Sequence, residues 1–429
     1  MDQNIQRLVD NQDDGTLFSE DRFTFLVESF AEIGRDPEGG VTRLAFSPED
    51  VKARRRLMEV MEKEYHLEVR VDAWGNIFAR REGNGGGEGV LLTGSHMDSV
   101  RNGGKFDGPA GVYCALEAVR ALDRLNIETR HPIEVGVFTA EEANQSGLST
   151  IGSRGLSARL KIADLQSRVD DQGVPIPDAL RRVGGDPEKT DEAVFKPGEI
   201  KAVIEVHIEQ MKHLDAKGLD LGIVTGVTGI RRRRFIVQGV PGHGGSTPMA
   251  ERSDALVAAA KIIQATYELA CESRGRAVAT IGHIESAPNS VNVIPGRVIL
   301  EMEIRSYFAA EIDRIDAGVW AVAQQIQDPL RVSVQRDACT YDTQPRTFAA
   351  SIRDRLRQAC QLWGFSAEAL VSMAGHDAYH LSYIADAGML FVPSAGGRSH
   401  CPEEWTDPVY LTKASRVLAT TLLFIDKEA

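Results

Sequence analysis

The sequence predicts an α/β protein with a second, α+β unit inserted into it. Three observations lead there. Short apolar runs alternate with helical stretches: Val90-Leu-Leu-Thr, the alternating Ile133, Val135, Val137 and the alternating Ile204, Val206, Ile208 read as strands, and Val112, Leu116, Val119, Leu122 and Leu125 mark a helix between the first two. Over residues 223–337 the order becomes strand, helix, strand, strand, helix, strand, the signature of an α+β sandwich. Residues with metal-ligand chemistry stand at the predicted strand ends, where α/β sheets place their sites.

Taken in chain order, residues 20–70 read as helical, with Phe23, Phe25, Leu26, Phe30 and Ile33 at helical spacing and Leu57, Val60 and Met61 repeating it. Val90-Leu-Leu-Thr is a buried strand that delivers His96, and Asp107-Gly-Pro-Ala-Gly opens the next helix. The strand at Ile133 ends on Glu141-Glu142, and in the strand at Ile204 the residues Glu205, His207 and Glu209 face away from the isoleucines. Residues 160–200 are polar and rich in Gly, Pro and Asp, an excursion with a short helical piece at Ala179-Leu-Arg-Arg-Val. In the insert, Phe235-Ile-Val, Ala277-Val-Ala-Thr-Ile and Val298 to Ile304 are strands; Ser253–Glu272, with Ser253 as N-cap and Leu256, Ala260, Ile263 and Tyr267 as one stripe, and Ala309–Gln327 are helices. A helix at Arg353–Trp363 and a strand at Met389-Leu-Phe-Val close the chain. The expected domains are 1–222 with 338–429, and 223–337.

Composition narrows the function classes. A chain of 429 residues accommodates two cores, and a formal net charge of -13 argues against nucleic acid or an anionic membrane as partner. Arg231 to Arg234 form a compact basic run, read as a solvated strand edge or an interface patch. Cys114, Cys271, Cys339, Cys360 and Cys401 are scattered, without CxxC spacing, so neither a disulfide framework nor a thiolate metal site is indicated; Cys401 reads as a buried structural thiol. Met1-Asp-Gln-Asn-Ile-Gln-Arg has no apolar signal core and no run reaches membrane-spanning length, which points to the cytoplasm.

Five residues carry the chemistry: His96, Asp107, Glu142, His207 and His400. Imidazoles and carboxylates without thiolate suit one or two hydrolytic divalent ions, Mn²⁺, Zn²⁺ or Co²⁺. His66, His131, His213, His283 and His380 lack such motifs and are expected to be satisfied core residues.

Gly-Ser-His-Met-Asp-Ser, Phe-Asp-Gly-Pro-Ala-Gly-Val, Glu-Glu, His-Ile-Glu-Gln, Gly-His-Gly-Gly-Ser-Thr-Pro-Met, Asn-Val-Ile-Pro-Gly, Ala-Gly-His-Asp-Ala and Ser-His follow one another between residues 70 and 407. In that order they resemble the M20 metallopeptidase superfamily, in its amidase branch of N-carbamoyl-L-amino-acid hydrolases, β-ureidopropionases and allantoate amidohydrolases. The segment Gln172-Gly-Val-Pro-Ile-Pro-Asp-Ala-Leu resembles an excursion of that branch. The resemblance implies a metallopeptidase-like catalytic domain, its mixed sheet flanked by helices, with an inserted lid and dimerisation domain. It implies that Asp107 bridges two ions, one completed by His96 and His207, the other by Glu142 and His400. Glu141 is then the general base toward the metal-activated water, and Asp98 orients the His96 imidazole. His243 polarises the scissile group, Arg305 clamps a substrate carboxylate, and Asn292 closes over the substrate. Gln210 and Gly375, His376 and Asp377 line the pocket. His243 and Asn292 usually reach the neighbouring subunit in such proteins, which implies a homodimer.

Simpler roles stand beside these. Arg305 reads also as a strand-face charge paired with Glu301 or Glu303, and His376 with Asp377 as a buried hydrogen-bonded pair. Three departures from the branch pattern bear on substrate: Ala143-Asn-Gln-Ser replaces Gly-Ser-Arg-Phe, Met211 replaces a glycine, and Pro109-Ala-Gly replaces Val-Leu-Gly. The leading expectation is hydrolysis of an amide or ureido C–N bond in a small carboxylate-bearing substrate. The alternatives are hydrolytic deamination of an aromatic amine such as a substituted aminobenzoate, as by nitroanthranilate aminohydrolase, and non-catalytic ligand binding on the same fold. Peptidase or aminoacylase activity is disfavoured by the excursion and by the lid residues.

Overall fold

The computed structural model describes residues 3–11, 15–144, 146–337 and 341–428. Met1, Asp2, Gln145 and Cys339 lie outside the described residues. By internal contacts the chain forms two units, Met1–Thr225 with Phe348–Ala429, and Gly226–Thr347.

In the first unit the sheet runs Glu68–Val71, Ile77–Arg81, Ile133–Phe138, Val90–His96, Ile200–Ile208, Ala387–Val392, Leu221–Val227. Its centre is parallel: Val90–His96 pairs in parallel with Ile133–Phe138 and Ile200–Ile208, which pairs in parallel with Ala387–Val392. Its margins are antiparallel. Parallel strands need cover on both faces, and every residue of Ile133–Phe138 is buried. Helices Glu20–Ala31, Pro48–Lys63, Pro109–Arg124, Ala350–Trp363 and Pro408–Asp426 contribute to one large core with Leu91, Val135, Val137 and Ile204. A separate cluster of Trp74, Ile151, Leu160, Leu165, Ile176 and Leu180 gives the excursion its own small core. Each such fully buried side chain contributes about 1.5–3 kcal/mol. Because neighbouring strands are parallel, their C-terminal ends share one edge, and His96, Glu141-Glu142 and His207 arrive there together.

The second unit is an antiparallel sheet in the order Ser333–Arg336, Gly229–Gln238, Arg297–Ser306, Ala277–Ala287. Helices Ala255–Glu272 and Ala309–Gln325 pack over Phe235, Val237, Val298, Leu300, Met302 and Ile304. A two-stranded ribbon sets His243 opposite Val293, and the Gly244 N–H donates to Asn292 O at 2.8 Å.

Several sequence expectations fail here for identifiable reasons. Residues 20–70 are two helices and a strand, because Gly34, Pro37, Gly39 and Gly40 interrupt them and Glu68–Val71 joins the sheet edge. Phe25 is exposed. The N-cap of Ala255–Glu272 is Asp254, whose carboxylate accepts the Leu256 and Val257 amides; Ser253 precedes it. That helix has two apolar stripes. The small one, Ala255, Ala258, Ala259 and Ile262, allows close approach to the sheet, so Leu256, Ala260, Ile263 and Tyr267 face outward. Arg231 to Arg234 lie on an interior strand, not an edge, and are paired across it or with a helix: Arg232 with Glu303, Arg234 with Glu301, Arg233 with Asp316. Of the five histidines expected in the core, only His131 and His380 are buried; His66 and His283 are exposed and His213 is half-buried. Cys401 is half-buried. Among the described residues no helix is long and apolar enough to cross a membrane.

Candidate metal centre

His96 ends its strand with both ring nitrogens spoken for by geometry. Nδ1 donates to the Asp98 backbone carbonyl at 3.0 Å, which leaves Nε2 with its lone pair turned to the carboxylates of Asp107 (4.0 Å) and Glu141 (3.7 Å). His207 is arranged in the same way: Nδ1 meets Ile208 O at 3.0 Å and Nε2 stands 3.2 Å from Asp107 Oδ1. A backbone carbonyl on Nδ1 fixes the tautomer that presents Nε2 to a metal ion.

On the other side of Asp107, His400 Nε2 is 3.1 Å from Oδ2 and 3.2 Å from Glu142 Oε1. The donor atoms of His96, Asp107 and His207 lie within 4.8 Å of one another, and so do those of Asp107, Glu142 and His400. Asp107 belongs to both triplets, one oxygen toward each. The donor atoms of a third triplet, Glu205, His207 and His376, are equally close. Its members are already used: Glu205 accepts from Ser95 Oγ and the Ala378 N–H, and His376 Nε2 bonds Ser372 Oγ. His376 instead packs edge-on against the His207 ring, 4.5 Å between centroids.

Gly108 explains how the loop after Asp107 passes so close. Its φ is +81°, and a Cβ there would lie 2.4 Å from the His96 ring. The Asp98 carboxylate is not on His96 Nδ1, from which Oδ1 is 3.7 Å distant; it accepts the backbone N–H groups of Glu141 and Glu142 at 3.3 and 3.0 Å. Asp98 thus fixes the Glu-Glu turn, while its own backbone carbonyl orients the imidazole. Ala140, Gln210 and His400 have positive φ, the local strain that sites tolerate when their surroundings over-determine them.

The electrostatics ask for cations. Asp98, Asp107, Glu141, Glu142, Glu205 and Asp377 are all buried. Burial, then the charges of Glu142, Asp377, Asp98 and Asp107, hold Glu141 well above the usual carboxylate range. Burial alone would push His207 down, but the Asp107 hydrogen bond and charge outweigh it and hold the imidazole at about 9. The bonds to Asp107 and Glu142 raise His400 to about 11. Burial lowers His96 to about 4, so it stands neutral and ready to ligate. A buried cluster of carboxylates beside three imidazoles, with no thiolate among the donors, fits one or two divalent ions.

Of the other expected site residues, Gln210 is turned inward: its Nε2 donates to Asp107 Oδ2 at 2.8 Å. Asp377 is buried and accepts from Ser153 Oγ at 2.5 Å; Gly375 is exposed. Within the second unit, His243 Nδ1 accepts the N–H groups of Gly245 and Ser246, both at 3.1 Å, so its proton sits on the exposed ring's Nε2. Asn292 is exposed, and Arg305 Nε is 2.6 Å from Glu303 Oε1, the strand-face pairing weighed above. Two residues not singled out from the sequence, Ser399 and Glu404, also bear on Asp107. The signal available was a carboxylate four residues beyond His400.

Residues 92–423 match the model of peptidase family M20/M25/M40. The chain belongs to that family. Within it the chain stands on the amidase branch. An N-carbamoyl-L-amino-acid amidohydrolase of Paenarthrobacter aurescens is 38% identical over 393 residues, 90% of this chain and 94% of that protein. An allantoate amidohydrolase of Bacillus subtilis is 34% identical over 410 residues, 94% of this chain and 96% of that protein. Among solved structures, an amidase of the hydantoinase/carbamoylase family from Burkholderia multivorans superposes with a TM-score of 0.86 at 32% identity, covering 96% of this M20 chain and 98% of its own.

Proposed function

We propose that this M20 chain hydrolyses an amide or ureido C–N bond, other than a peptide bond, in a small substrate that carries a carboxylate. The observation that carries the reading is Asp107 between His96 and His207 on one side and Glu142 and His400 on the other, with Glu141 beside them. Those five residues would hold one or two divalent ions of the Mn²⁺, Zn²⁺ or Co²⁺ kind, which polarise the scissile group and acidify the attacking water.

The protein's own residues do the rest. Glu141, kept proton-hungry by burial and its carboxylate neighbours, takes a proton from the attacking water and returns it to the leaving nitrogen. A positioned general base of this kind contributes about 10²–10⁴-fold. His243 donates its Nε2 proton to the oxygen on which charge develops, a role that contributes about 10²–10³-fold. Arg305, aligned by Glu303, receives the substrate carboxylate, and Asn292, Gln210, Gly375 and His376 shape the rest of the pocket.

His243 and Asn292 serve the site of the neighbouring subunit in a homodimer. The outward stripe Leu256, Val257, Ile263 and Tyr267, with exposed Val278 and Ile284 on the edge strand, supports an interface between copies of the second unit. The cytoplasm suits the four described cysteines, all of them free thiols.

Ammonia release from N-carbamoyl-L-amino acids, ureidopropionate, allantoate and substituted aminobenzoates tests the substrate class. Release from a ureido compound is the expected result. Release from an aminobenzoate alone would replace the reading with aromatic deamination.

A further inference from the structure

Glu404 is almost wholly buried, yet it is an acid with no basic partner among its hydrogen bonds to the described residues. Its Oε1 accepts two consecutive backbone N–H groups, Phe106 at 2.9 Å and Asp107 at 3.0 Å. Its Oε2 lies 2.9 Å from Ser399 Oγ, and that same hydroxyl lies 2.7 Å from Asp107 Oδ2. One side chain therefore grips Asp107 at both ends, by its amide and, through Ser399, by its carboxylate. Ser399 also precedes His400 directly, so the grip joins the segment that carries one ligand to the loop that carries another.

Two further observations show that the approach is built in. A Cβ at Gly104 would lie 1.9 Å from Glu404 Oε1, so only glycine admits the carboxylate at that point of the loop. Trp405, the next residue, packs edge-on against Phe106 with ring centroids 5.4 Å apart. The 104–107 loop and the 399–405 segment are thus joined by a polar contact and an apolar one.

We propose that Glu404 is a positioning residue for the metal pair: acting through Ser399 and the Phe106 and Asp107 amides, it holds the shared carboxylate in the one orientation that gives an oxygen to each triplet. Asp107 has two oxygens and must serve His207 on one and His400 on the other. A rotation about its side-chain bonds would give both oxygens to one side. Ser399 and Gln210 Nε2 both bond Oδ2, which fixes that rotation. Neighbours that orient ligands typically govern metal affinity by about 10–100-fold.

The inference rests on the metal-centre reading, and the experiment separates the two. The full-length protein is stripped with a chelator and titrated calorimetrically with Mn²⁺, with thermal unfolding recorded alongside. Variants are Glu404→Ala, Glu404→Gln, Ser399→Ala and, as the control on the reading itself, His207→Ala. Glutamine keeps an oxygen for the two amides and an NH₂ that donates to Ser399, whose own proton then stays on Asp107. The expected result is binding weakened about 10–100-fold in Glu404→Ala and in the same direction in Ser399→Ala, with Glu404→Gln within about threefold of the parent. Parent-like affinity in Glu404→Ala, or a Glu404→Gln as weak as Glu404→Ala, overturns the proposal. If Glu404→Ala does not fold, parent-like affinity in Ser399→Ala overturns it. A parent that binds no Mn²⁺, or a His207→Ala that binds as the parent does, overturns the metal-centre reading instead.

Discussion

His207 Nε2 stands 3.2 Å from Asp107 Oδ1, both side chains almost wholly buried. In the metal-free protein this is an ion pair that holds His207 at about 9 against an ordinary 6.5. A folded-state value above the unfolded one gives stability that is complete below about pH 6.5 and lost as pH rises through about 9. Metal binding runs the other way, because the ion must displace that proton. Mn²⁺ affinity is predicted to rise by about tenfold per pH unit per proton displaced between pH 6.5 and 9, with proton release visible as a buffer-dependent heat. A pH-independent affinity would contradict this.

Glu141 lies 3.7 Å from His96 Nε2 without belonging to either triplet. Glu141→Gln is therefore expected to keep its metal content and lose about 10²–10⁴-fold in kcat. Loss of metal in proportion to loss of rate would make Glu141 a ligand.

Gly108 leaves no room for a side chain beside the His96 ring, and its φ of +81° adds strain for any L-residue. Gly108→Ala should cost about 1–3 kcal/mol of stability and weaken metal binding, read by thermal unfolding and metal analysis. An unchanged melting temperature would show that the loop relaxes.

Ile263 and Tyr267 face outward from the helix Ala255–Glu272. A double change to glutamate there should leave the fold within about 0.5 kcal/mol per site while sedimentation velocity shows a dimer become a monomer. A parent that sediments as a monomer would remove the homodimer.

The legible part of the fold was what periodicity encodes. The strands Val90–His96 and Ile133–Phe138 and the helix Pro109–Arg124 stand where the apolar spacing puts them, because buried parallel strands and their cover leave little freedom in register; the second strand stops at Phe138, short of Glu141-Glu142, which the spacing had placed at its end. The stripe on Ala255–Glu272 was misread because two apolar stripes share the helix, and which one meets the sheet depends on side-chain volume rather than on period. That His96, Asp107, Glu142, His207 and His400 come together was legible from their motifs; what orients them was not. Asp98 was expected on an imidazole and instead holds two amides, a contact between strand ends that no local spacing records. Glu404 reaches Asp107 across 297 residues of chain, which leaves only the Glu403-Glu404 pair after Ser-His to see in the sequence, with nothing local to say which of the two turns inward.

The most direct measurement is anomalous diffraction from crystals of the full-length protein grown with Mn²⁺. One or two peaks bonded to Asp107, with His96 and His207 on one side or Glu142 and His400 on the other, are the predicted result. Peaks elsewhere, or none at Asp107, would contradict the account.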